Sequence, residues 1–213
     1  MMKLRGRFLF LLLILASGGT QAAEAAKVDF AVGEVAAIQP DGMRRPLARG
    51  AKVSPGDTVD TGPGRAQLRF TDGAMVSLQP QTQFRIDAYE FKGQADGGEK
   101  GFFGLLKGAM RTITGAIGKT DRKAYRLDTA VATIGIRGTT YSVTYGNSIT
   151  VNTVEGAVEA CNNGGCLVGG AGQSAYVKDI DTAPVFLGGG SQPPEGAPPP
   201  AAPQGFSAGD NPN

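Results

Sequence analysis

Few residues in this 213-residue chain are of types that do chemistry, and their spacing narrows what that chemistry is. There is no histidine, so the usual general base and the usual imidazole ligand of catalytic zinc are both missing. Asp179 and Asp181 form the kind of carboxylate pair that glycoside hydrolysis requires, but they sit in a loop-like stretch that suits solvated acids. No glycine-rich loop opens a helix to cradle a phosphate, because the glycines punctuate extended runs. Cys161 and Cys166 enclose Asn-Asn-Gly-Gly, and across a hairpin tip that spacing reads as a disulfide. A redox pair would want Cys-x-x-Cys at a helix start, and two thiolates without histidine make a poor metal site. No catalytic residue, metal or cofactor is expected.

Arg137 is the other candidate. It stands in Thr129-Ala-Val-Ala-Thr-Ile-Gly-Ile-Arg-Gly-Thr-Thr-Tyr-Ser-Val143, two extended runs joined by a Gly135–Gly138 bend. A guanidinium among small and β-branched residues is expensive to bury unless a carboxylate or several carbonyls meet it. The leading expectation for Arg137-Gly138-Thr139 is therefore structural: an ion pair or carbonyl clamp locking two strands, with Asp57 and Glu155 as candidate partners. Gly138 would supply a backbone angle closed to other residues. The alternative is that Arg137 is held out for a ligand or a protein partner.

The elements that must position these residues are short strands. Ala66, Leu68 and Phe70 alternate with Gln67 and Arg69, and Ala74, Val76 and Leu78 with Met75 and Ser77. Thr71-Asp72-Gly73 between them is hairpin punctuation. The same period runs through Phe84–Ala88, Tyr125–Leu127, Tyr141–Tyr145 and Ile149–Val151, with turn signals at residues 40–42, 55–57, 61–64 and 146–148. The pattern predicts a single all-β sandwich or roll over residues 27–187. Phe102, Leu106, Met110, Ile113 and Ile117 recur at helical spacing, though four nearby glycines weaken a helix. There the expectation is a helical turn at 102–106 and then a strand through 107–114, with an interfacial amphipathic helix as the rival. Gly33-Glu-Val-Ala-Ala-Ile, Gly108-Ala-Met-Arg and Gly156-Ala-Val-Glu-Ala form a weak internal echo.

Residues 1–22 read as a cleavable signal peptide: Lys3, Arg5 and Arg7 precede a short apolar run, Phe8–Ala16, and then small residues. Nine apolar residues are too few to cross a hydrocarbon core that needs about 20, so no integral membrane segment is expected after cleavage. Loss of the leader moves the formal charge from +2 to −1. The remaining cations are scattered among acids, without the basic stripe that nucleic acid needs. Residues 188–213, rich in Gly, Pro and Ala, read as a disordered tail.

Several fragments in this order resemble the FecR domain family, named for a periplasmic sensor of ferric citrate. They are Leu47…Gly50…Gly56-Asp57…Thr61-Gly62, Ala66-Gln-Leu-Arg-Phe-Thr-Asp-Gly73, Lys107-Gly-Ala-Met-Arg111, the Arg137-Gly138-Thr139 segment and Val154-Glu-Gly-Ala-Val158. The resemblance implies a periplasmic β-domain that works by contact with an envelope protein rather than by chemistry. This chain carries a cleavable leader where the ferric-citrate sensor type has a cytoplasmic segment and a membrane helix. The expectation is a periplasmic or secreted sensor accessory or scaffold. The alternative is an envelope glycan-binding module, which the absence of Trp and the presence of only five Tyr disfavour.

Overall fold

The computed structural model describes residues 24–94 and 96–188. The expected leader, and all of the expected tail but Gly188, lie outside the described residues. The described chain is all-β. Its strands are β1 (Ala26–Val32), β2 (Ala36–Ile38), β3 (Arg44–Pro46), β4 (Lys52–Val53), β5 (Thr58–Asp60), β6 (Arg65–Phe70), β7 (Met75–Leu78) and β8 (Gln83–Glu90). They continue as β9 (Lys100–Ile113), β10 (Tyr125–Asp128), β11 (Thr133–Tyr145), β12 (Ile149–Asn162), β13 (Gly165–Gly170), β14 (Ser174–Val177) and β15 (Val185–Phe186). A short helix α1 (Ala116–Thr120) and a 3-10 turn, Arg122–Ala124, link β9 to β10.

All the strands hydrogen-bond into one sheet with two wings, because β9, β11 and β12 each pass through both. In the first wing the order is β4, β1, β6, β7, then the C-terminal halves of β9 and β11, the N-terminal half of β12, β14 and β15. In the second it is β3, β2, β5, β8, the N-terminal half of β9, β10, the N-terminal half of β11, the C-terminal half of β12 and β13. Side chains from the two wings meet between them. Phe70 of β6 lies 5.3 Å from Tyr89 of β8 and 5.2 Å from Phe103 of β9, ring centre to ring centre. Tyr125 of β10 and Tyr141 of β11 share a buried hydrogen bond of 2.5 Å.

A strand that changes wing must bend sharply, and a positive-φ glycine stands at each corner: Gly108 (φ 96°), Gly138 (58°) and Gly156 (72°). Gly33 (80°) does the same between β1 and β2. The internal echo in the sequence is therefore a set of corners, since Gly33, Gly108 and Gly156 open its three copies.

The expected hairpins form at Thr71–Gly73, Pro40–Gly42 and Gly146–Ser148. The expected helical turn at 102–106 does not. Those residues lie within the 14-residue strand β9, which buries Phe103 and Leu105 and leaves Leu106 41% exposed. The period of two wins because β8 and β10 pair with this segment from both sides, which no isolated turn can match. The helix lies further on, at α1, where Asp72 accepts from the Ile117 N–H (3.3 Å) and its carbonyl from the Ala116 N–H (3.0 Å).

Candidate functional site

Arg137 occupies the last paired position of β11 before its corner, opposite Ala157. Its neighbour Ile136 is 2% exposed and points into the core, so the alternation of the strand turns Arg137 outward. It is exposed, and its side chain makes no hydrogen bond or ion pair among the described residues. The expected clamp is thus not built. Asp57, one candidate partner, is buried and accepts from Arg45 Nη2 (2.9 Å) and the Ser54 N–H (3.0 Å). Glu155, the other, accepts from Thr140 Oγ1 at 3.1 Å. The physical reason is register: Arg137 falls on the outward face, where water solvates a guanidinium and no compensating acid is required.

The rest of the motif does hold the fold. Gly138 adopts the left-handed conformation in a bulge where the register with β12 shifts. Gly156 faces it so closely that a Cβ there would lie 2.5 Å from the Gly138 carbonyl oxygen and 2.8 Å from that of Arg137. Thr139 is 3% exposed. Thr114 Oγ1 donates to the Thr139 carbonyl (2.6 Å), accepts from the Thr139 N–H (3.2 Å) and lies 3.2 Å from its hydroxyl. The clasp that ties β11 to the end of β9 is therefore a pair of threonines, with no charge in it.

Around Arg137 lies a recess of about 160 Å³ lined by Arg122, Lys123, Gly135, Ile136, Arg137 and Glu159. Topology brings the cations together. β10 runs antiparallel to β11 with Leu127 opposite Ile134, and extending that register sets Ala124 opposite Arg137, so the 3-10 turn falls beside it. Gly135 has no side chain to fill the floor, and the nearest atom to a Cβ there would be a Glu159 carboxylate oxygen at 3.8 Å. The side chains of Arg122 and Lys123 are exposed and, like Arg137, have no ion-pair partner among the described residues. The nearby Arg126 is occupied, bonded to Asp128 at 2.6 Å and lying 4.7 Å over the Phe102 ring. Arg122, Lys123 and Glu159 carry no periodic signal of their own, and only the insertion of β10 between β9 and β11 assembles them.

Cys161 and Cys166 are cross-strand partners of β12 and β13 and form the expected disulfide. The hairpin tip is also tied down by Asn162 Nδ2, which donates to the carbonyls of Asp179 (2.8 Å) and Thr182 (2.6 Å). A Glu159 carboxylate oxygen and the two sulfurs lie within 4.8 Å of one another, but sulfurs bonded to each other are not thiolate ligands. Asp179 accepts from the Asp181 and Thr182 N–H groups at 3.1 and 2.7 Å. The Thr182 bonds, hydroxyl and N–H, hold its carboxyl below the usual carboxylate range. Asp181 instead accepts from Asn163 Nδ2 at 2.9 Å. The two acids thus hold a loop together and are not poised as an acid–base pair.

The region carrying the threonine clasp, the Gly156 corner and the recess falls within residues 57–159, and these match the FecR protein family. This stretch is a FecR domain. No curated protein matches the chain. Two crystal structures of a proposed anti-sigma factor from Parabacteroides distasonis ATCC 8503 are similar at 15% identity, with TM-scores of 0.48 and 0.46. The matches cover 61% and 59% of this chain and 58% and 56% of those proteins, less than two thirds of their length.

Proposed function

We propose that the protein is an exported, non-enzymatic regulatory module whose FecR domain works by contact with another envelope protein, as a sensor accessory or an assembly scaffold. The observation that carries this reading is Arg137: within the family-matched region it is exposed and without an ion-pair or hydrogen-bond partner among the described residues, while its neighbours Gly138 and Thr139 do the structural work. A charged side chain that the fold does not use is available to something outside it. The leader-like residues 1–22 support export, in which case the envelope form begins between Ala23 and Lys27. The aromatic platforms on which a glycan would stack are not favoured, since Tyr89, Tyr125 and Tyr141 are all buried.

Crosslinking in the intact envelope, with a photoreactive residue at the exposed position Thr133, tests this reading. A stoichiometric envelope protein captured with the FecR domain supports it. Capture of peptidoglycan fragments alone, or retention of Met1 in the envelope form by intact mass, overturns it.

A further inference from the structure

Resting on the reading of the FecR domain as a protein-contact module, we propose that the recess beside Arg137 is a docking pocket for one acidic side chain presented by a segment of the partner protein. Three observations lead there. First, Arg122, Lys123 and Arg137 converge on one recess and none is neutralised by an ion pair among the described residues. Cations left unpaired on a common surface set up a field that an incoming carboxylate completes. Glu159 is the only acid among the described residues of the lining, which leaves those residues positive by two formal charges.

Second, the size selects the occupant. At about 160 Å³ the recess falls below the roughly 300–1,000 Å³ of pockets that enclose a whole small molecule. It has room for one carboxylate side chain, with the rest of the ligand lying across the sheet. Third, the floor is made for close approach. Gly135 leaves bare backbone in a lining it shares with Arg122 and Arg137, beside the Glu159 carboxylate, and an arginine fork recognises a planar carboxylate through two parallel N–H···O bonds.

The structure around the site will tolerate its removal. Arg137, Arg122 and Lys123 are all exposed, so charge reversal leaves the core packing intact. The test is a titration of the isotopically labelled mature chain, followed by amide chemical shifts, with a capped oligoglutamate peptide, with glutarate and with inorganic phosphate. The peptide is expected to shift amides at residues 122–123 and 135–138 and to weaken as salt rises. Arg137→Glu is expected to weaken it roughly tenfold by replacing an attraction with a repulsion, while Arg65→Glu, exposed on β6 of the first wing, leaves it unchanged. Shifts elsewhere, equal loss in both variants, or tighter binding of glutarate or phosphate than of the peptide would overturn the docking pocket. The two readings fail separately. If the peptide does not bind but a partner is still captured in the envelope, the contact function stands and the acidic chemistry falls. If the peptide binds at the recess but no partner is captured, the reverse holds.

Discussion

At the corner of β11 the polar groups are matched inside the protein, with the Thr139 N–H and carbonyl and the Thr114 hydroxyl bonded to one another in a site sealed from water. At the recess beginning one residue earlier, three cations face outward with no ion-pair partner among the described residues. The same tetrapeptide, Ile136-Arg-Gly-Thr139, serves both regions, because a strand alternates its faces and a bulge then resets the alternation. The contrast teaches that nearness in sequence does not give two residues one role. Thr139, Gly138 and Gly156 set where the strands cross between wings; Arg137 is carried there and left unpaired among the described residues.

The largest expected effect separates two glycines of the same corner. Gly156→Ala places a Cβ against two carbonyl oxygens at a positive φ and should cost about 3 kcal/mol, left-handed strain plus crowding. Gly138→Ala meets open space and should cost only about 1–2 kcal/mol. Chemical denaturation of both variants checks the ranking, and equal costs would mean that the close approach at Gly156 contributes nothing. Next, Thr139→Val keeps the shape and removes the hydroxyl, with an expected loss of about 1 kcal/mol. Thr114→Val also strips the partner of a buried N–H and should cost about 1–3 kcal/mol. The double variant should lose less than the sum of the two, since they share one clasp.

The Tyr125–Tyr141 pair behind the same strand gives a pH signature. Burial pushes Tyr141 up to about 12, and burial followed by the charge of Tyr141 raises Tyr125 well above its usual value. Groups whose folded pKa is raised contribute stability that is intact below the unfolded value, near 10. That stability is lost as pH rises towards the folded one. Melting midpoints should therefore hold to about pH 10 and fall between there and about 12, and Tyr141→Phe should flatten that fall. Smaller in reach is the hairpin tip. Replacing Cys161 and Cys166 together by Ser should cost about 2 kcal/mol or less, the closure entropy of a short loop. Native protein should show no free thiol before reduction.

Much of this architecture was legible beforehand. The period of two placed most strands, the Asp-Gly and Gly-rich turns placed the hairpins, and the spacing of Cys161 and Cys166 placed their bond. The stretch at 102–106 misled because Phe102, Leu106 and Met110 fall at helical intervals by coincidence. Only pairing with β8 and β10, distant in sequence, shows that Phe103 and Leu105 are the buried set. For Arg137 the motif was visible but its face was not. Which side of a strand is outward depends on register at the bulge, and Arg122 and Lys123 reach the recess only through tertiary pairing.

Arg137 is proposed to be a contact residue on a fold that does not need it. The direct measurement is Arg137→Ala, followed by its unfolding curve and by its crosslinking in the envelope. The expected result is a change in stability within about 0.5 kcal/mol, as for an exposed surface side chain, together with loss of the captured protein. A loss of about 3–5 kcal/mol, the signature of a broken buried ion pair, would contradict it and restore the strand-locking clamp.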